Sequence, residues 1–288
     1  MTVLGAVSLP QIPPEHLAAV SNAAEDSGLD ELWLWEDCFW GGGIAAAATV
    51  LARTERVRVG IGVLPVPLRN VALAAMEVAA LLRLHPGRIM PGFGHGVQEW
   101  MAQVGAGVES PMTLLREQLG ALRGLLNGET VTAAGRYVRL DKVALDWPPT
   151  MPAPILAAAS GPRTLRLSGE LADGTILTSR TAPDGVRVAR ALIDEGRAVA
   201  GRTEPHQVIV YLAAATGPDA AARLAAKARH NEFQEGAGVA GDPDAIADAV
   251  RRYVAAGADT VVLEPTDDDS DLVEFVRFVG EKVRPLLG

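Results

Sequence analysis

At 288 residues the chain is longer than an ordinary domain but a normal length for one barrel of alternating strands and helices. Hydrophobic residues make up 49% and charged residues 21%, enough for a large core and too apolar for a disordered chain. With 26 basic against 35 acidic side chains the formal charge is −9, which argues against nucleic acid and anionic membranes as partners; an anionic small molecule must instead be gripped by local positive ends and selected arginines.

Cys38 is the single cysteine, so no intrachain disulfide can form and a reducing cytoplasm is expected. The first ten residues show no basic segment followed by an apolar run, so no signal peptide is expected. The apolar stretch over residues 71–82 is broken by Glu77 and is too short to cross a bilayer; it reads as a buried helix.

In chain order, runs of branched and apolar residues predict strands at 3–9, 31–35, 57–63, 88–93, 155–159, 175–178, 208–213 and 260–263. Helical periodicity falls between them, at 15–27, 44–53, 71–84, 163–171, 184–200 and 244–256, where apolar positions recur every three or four residues, as in Leu17, Val20 and Ala24. Turn formers precede the next strand at Gly28-Leu29-Asp30, Pro86-Gly87-Arg88, Ala172-Asp173-Gly174 and Gly257-Ala258-Asp259. Near-continuous apolar strands separated by helices imply a parallel sheet covered by helices. Eight such units predict an α/β fold of the (β/α)8 barrel type, one domain over residues 1–288.

Residues 96–154 break the rhythm. Roughly sixty residues follow the fourth strand where about twenty would suffice, with a helix at 113–126, an extended segment at 130–145 turning at Gly135-Arg136, and a proline-rich exit. Such an excursion helps to enclose a site, or else serves as a structural arm or dimer contact.

Several chemistries are disfavoured. The five histidines show no paired spacing and no carboxylate cluster completes a metal set, so no metal is expected. Lys142, Lys227 and Lys282 do not sit at the end of any predicted strand, which disfavours a Schiff-base aldolase. No nucleophile elbow and no Walker loop occur. What remains is chemistry carried by a cofactor.

Function in a barrel belongs where strands end. After the second strand, Glu36 and Asp37 stand among Trp33, Trp35 and Trp40, surroundings that raise a carboxyl pKa toward acid–base use. The plainer reading is that the tryptophans pack and one acid caps a neighbouring element. The third strand ends Gly62-Val63-Leu64, where glycine permits close approach of a ligand to backbone. The fourth ends Gly92-Phe93-Gly94-His95-Gly96, bare main chain for a planar ring with His95 as a donor or acid, or simply a hydrogen-bonded structural histidine. The fifth ends Ala159-Ser160-Gly161-Pro162-Arg163 and opens a helix whose free N–H groups favour an anion, unless this is an ordinary cap. Thr178, closing the sixth strand, joins the cofactor-binding candidates.

Taken together these strand ends resemble the bacterial-luciferase-like flavin oxidoreductases, most closely the branch that uses the deazaflavin coenzyme F420. The resemblance rests on residues 28–33, 58–63, 87–94, 160–162 and 169–174, and runs from about residue 3 to 180; the last third agrees only in rhythm. It implies a barrel with an enlarged connection after the fourth strand, and a non-proline cis peptide at Gly62–Val63 supporting one face of the ring. It also implies cofactor phosphate at Ser160, Gly161 and Pro162, with Asp37 near the ring, and a homodimer. Two positions depart from the branch's sugar-phosphate dehydrogenases: Cys38 replaces a histidine and Val97 a glutamate. Both departures count against that reaction and leave His95 as a substitute proton donor.

The expectation is therefore a hydride-transferring enzyme acting on a small organic substrate with coenzyme F420. The alternatives are an FMN-dependent monooxygenase on the same barrel and a cofactor-binding barrel without turnover.

Overall fold

The structure, a computed structural model, describes residues 2–266 and 271–288. Eight parallel strands close on themselves: β1 (Val3–Ser8), β2 (Glu31–Leu34), β3 (Arg58–Pro65), β4 (Ile89–Gly94), β7 (Leu156–Ala158), β8 (Gly174–Leu177), β9 (Gln207–Ala215) and β11 (Thr260–Glu264), which returns to β1. The two strands missing from that ring, β5 (Val131–Ala134) and β6 (Arg139–Val143), form an antiparallel hairpin; a two-residue β10 (Val239–Ala240) extends the top of β9. All eight predicted strands are present, as is the barrel they imply.

Apolar side chains on both faces explain the closure: one face packs on the helices and the other fills the barrel. The filling uses large aromatics against glycine. Trp33 and Tyr211 meet edge to face with centroids 5.8 Å apart, and a Cβ on Gly60 or Gly62 would collide with one or the other. Beneath them Glu31 is buried, paired with Arg58 and accepting the Trp33 indole N–H at 2.8 Å.

Three of the four helix-to-strand turns share one device. Asp30, Asp173 and Asp259 each accept an N–H from the neighbouring strand's start (Leu4 at 3.1 Å, Ile155 at 2.9 Å, Val208 at 2.7 Å) and each pairs with an arginine. Gly28 and Gly257 precede two of them at positive φ, where a Cβ would be strained. This accounts for the recurring turn signature in physical terms: the aspartate stitches adjacent strands at the base of the barrel.

The outer helices α1 (Leu17–Asp26), α2 (Gly43–Arg53) and α3 (Val71–Leu84) follow β1 to β3. After β4 come the short α4 (Gln98–Gln103), which the sequence did not reveal, and α5 (Pro111–Leu126), capped by Ser110. The hairpin folds back on α5, where the Glu117 carboxylate accepts the N–H groups of Arg136, Tyr137 and Val138 at 2.8–2.9 Å. Helices α6 (Pro162–Leu171) and α7 (Pro183–Val199) cross closely because Gly169 and Gly196 sit at the contact.

A second excursion follows β9. Helix α8 (Ala220–His230) precedes α9 (Pro243–Ala255), the helix that covers β9 and β11; α10 (Leu272–Phe278) comes after β11. Only Ala220 and Lys227 of α8 are buried. No helix among the described residues is long and apolar enough to cross a membrane.

Candidate active site

The C-terminal ends of β2, β3, β4, β7 and β8 surround a cleft of about 230 Å³. Asp37 and Glu36 enter it from the β2 end; Gly62, Val63 and Pro65 from β3; Gly94, His95 and Gly96 from β4; Ala158, Ala159 and Ser160 from β7; Thr178 from β8. The Gly62–Val63 peptide is cis, at the bond the resemblance implied, and Cys38–Phe39 is a second cis bond that the sequence did not announce. A Cβ on Gly94 would stand 2.8 Å from Val63 Cγ2, so glycine is needed there for β3 and β4 to close and leave their main chain bare.

Other candidates lie outside the cleft wall. Leu64 is buried in the core, close to Gly43. Trp40 is half exposed and packs edge to face on Trp100, centroids 6.4 Å apart, so that only Trp100 borders the cleft. Gly161, Pro162 and Arg163 stand at the rim, beside Ser160. Gly161 is the N-cap of α6; it offers no capping side chain, and nothing lies within 4 Å of where its Cβ would be. The first-turn N–H groups of α6 are thereby presented at the cleft edge. Thr164, Val97 and Trp100 complete the lining; the resemblance had marked Val97, while sequence reasoning missed Thr164 and Trp100, and the free face of α6's first turn was the available signal for Thr164.

The two acids differ sharply in occupation. Glu36 is buried and committed: its Oε2 accepts the Gly43 N–H at 2.7 Å, capping α2, and both oxygens pair with Arg69, which also donates to Glu77 at 3.1 Å. Asp37 makes no such bonds. Burial first, and then the nearby Glu264 carboxylate, push its pKa up to about 6. His95 sits across the cleft with Nε2 3.4 Å from the Thr164 hydroxyl, and burial holds its imidazole below the usual range, so it is neutral at pH 7.

Above the aromatic filling, Glu264 ends β11. Its Oε1 lies 2.7 Å from Lys227 Nζ, with both side chains about 5% exposed. Lys227 does not sit at a strand end, the ground on which the sequence disfavours it; α8 brings it to Glu264 instead. No group of three or more histidine, cysteine, aspartate or glutamate side chains among the described residues is arranged to hold a metal ion.

The family described as luciferase-like monooxygenase matches residues 2–230. The 5,10-methylenetetrahydromethanopterin reductase of Methanolobus tindarius is 31% identical, covering 89% of this chain and 72% of the relative. An F420-dependent glucose-6-phosphate dehydrogenase of Nakamurella multipartita is also 31% identical, covering 97% and 94%. Among solved structures, a coenzyme F420 dependent tetrahydromethanopterin reductase from Methanopyrus kandleri superposes with a TM-score of 0.83 at 22% identity, covering 100% of this chain and 99% of that one. An F420-dependent secondary alcohol dehydrogenase in complex with an F420–acetone adduct gives 0.89 at 20%, with the same coverage. At these identities the two structures establish the shared fold.

Proposed function

The chain belongs to the luciferase-like monooxygenase family, and on that premise we propose that it is an oxidoreductase transferring a hydride between coenzyme F420 and a small organic substrate. Two relatives at 31% identity support the reading, one named an F420-dependent dehydrogenase and the other a reductase. The observation that carries the reading is the cleft itself: bare glycine main chain on one side, an uncapped helix start at its edge, and a proton-holding carboxyl opposite.

The residues fit such a group. The main chain at Gly62, Val63 and Gly94 would lie against a flat ring, and Ser160, Gly161 and the following first turn of α6 would hold a phosphate, with Arg163 adding charge at the rim. The bound deazaflavin supplies a ring carbon that gives or accepts a hydride. Asp37 would hold the proton exchanged with the substrate oxygen at its carboxyl, which at about 6 is poised between both states near neutrality. Neutral His95 would donate or accept a hydrogen bond at that oxygen. Glu36 would orient the Asp37 segment through Arg69 and Gly43 rather than touch substrate. Cys38 and Val97 stand where the sugar-phosphate dehydrogenases keep a histidine and a glutamate, so a sugar phosphate is not the substrate we propose.

Mixing the purified protein with coenzyme F420 and with FMN, and following ligand fluorescence, tests the reading. We expect saturable binding of F420, and turnover of the reduced cofactor with a carbonyl or related acceptor. Tight FMN binding without F420 binding would transfer the barrel to the monooxygenase alternative, and binding without any turnover to the non-catalytic one.

A further inference from the structure

The interior of the barrel holds a second carboxylate, Glu264, that the reading above does not use; like Asp37, it stands on the mouth side of the aromatic filling. Its placement follows from strand register. Gly5 pairs with Val262, and both face inward: a Cβ on Gly5 would stand 3.0 Å from Trp33 Cδ1 and 3.2 Å from Val262 Cγ2. Side chains alternate along a strand, so Glu264, two residues beyond Val262, points into the barrel one layer higher, toward the mouth. Val262 is also paired with Tyr211, whose ring contacts Trp33 and, at 5.6 Å between centroids, Trp35. Trp35 stands two residues before Asp37. A single packed unit of Tyr211 and the two tryptophans thus separates the base of the barrel from a mouth in which Asp37 and Glu264 come from different strands.

Glu264 is almost fully buried and is fixed there by Lys227, which α8 delivers from outside the ring of strands. A buried carboxylate paired with a lysine is favoured in its charged form, and its field is poorly screened in that low-dielectric setting. The other ionisable groups around Asp37 are differently placed. Glu36 and Cys38 share its segment, the former bound to Arg69; His95 lies across the cleft and is neutral; Tyr211 keeps its proton, through burial above all.

We propose that Glu264, anchored by Lys227, is a positioning residue for Asp37: its fixed negative charge keeps Asp37 in the acid form until substrate oxygen takes the proton, and draws a proton back afterwards. This rests on Asp37 as the proton-handling group of the proposed reaction. The direction of Asp37's shift, with Glu264 as the cause after burial, agrees with the geometry.

The test is made on the full chain without cofactor, so its outcome is separate from whether F420 binds. Protein labelled with carbon-13 at aspartate carboxyls is titrated by NMR, with Asp37→Asn assigning the resonance. In Glu264→Gln the Asp37 midpoint should fall by about one pH unit. Should that variant fail to fold, the double variant Glu264→Gln with Lys227→Met removes both buried charges of the pair, and the midpoint should still fall. A midpoint that stays in place in a folded variant overturns the proposal. In turnover the break in the pH profile of kcat should move with the NMR midpoint, a change that loss of packing alone would not produce; a fixed break would equally overturn it.

Discussion

Asp37 and Glu36 are adjacent in sequence and identical in charge, yet their surroundings assign them different work. Glu36 caps α2 and is clamped by Arg69, so its oxygens are taken; Asp37 is desolvated beside a like charge and keeps a proton up to about pH 6. The sign of the consequence is fixed by direction. A reaction that needs the acid to donate holds its rate below that pH and loses it above, while the reverse reaction, needing the carboxylate as base, gains rate through the same range. Asp37→Asn should lower kcat by roughly 10²–10⁴-fold and remove the break in either direction. A pH–rate series on the variant checks this; a retained break near 6 would assign it to another group. At this scale the sequence revealed most of the strand-end residues that line the cleft, because a strand's end in a barrel has one destination, but it missed Thr164 and Trp100 and placed Leu64 and Trp40 there. It could not reveal which acid was free, since that depends on Arg69, a residue 33 positions away that folds back on Glu36.

Among the elements, α6 bears most on the proposed function. It opens at Gly161-Pro162 without a capping side chain and is locked from behind: Ser168 bonds Thr175 at 2.7 Å, Thr175 bonds buried His206 at 2.8 Å, and the glycine contact holds α7 against it. Its N-terminal N–H groups are therefore fixed in place rather than free to adjust, which is what an anion site needs. In Gly161→Glu, a carboxylate at the helix start suits the helix dipole, so folding is retained, while the same charge competes with phosphate. Cofactor Kd should rise roughly tenfold or more, about 1.4 kcal/mol, by fluorescence titration; an unchanged Kd would place the phosphate elsewhere. The strands and this helix were legible from apolar runs and from Gly-Pro turn chemistry. Helix α8 was not, because Leu224 is the single large apolar residue in its alanine-rich sequence, and of its residues only Ala220 and Lys227 are buried. A lysine as a helix's chief buried side chain gives periodicity nothing to detect.

For the molecule as a whole, a net charge of −9 and a proposed anionic cofactor are compatible because the barrel separates its charges. The acids that matter, Asp37 and Glu264, stand toward one side of the mouth, with Lys227 and Arg69 each tied to a carboxylate; the α6 start and Arg163 stand on the other. Closure came through in the sequence because eight strand–helix units can satisfy parallel pairing in few ways, and the residues that permit it, glycines facing Trp33 and Tyr211, recur at strand centres. A crystal structure of the protein soaked with coenzyme F420 measures the central claim directly. The account predicts a ring lying against Gly62–Val63 and Gly94, its phosphate on Ser160 and the first turn of α6, and its reactive carbon turned toward Asp37. A ring bound outside that cleft, or a phosphate held away from α6, would contradict it.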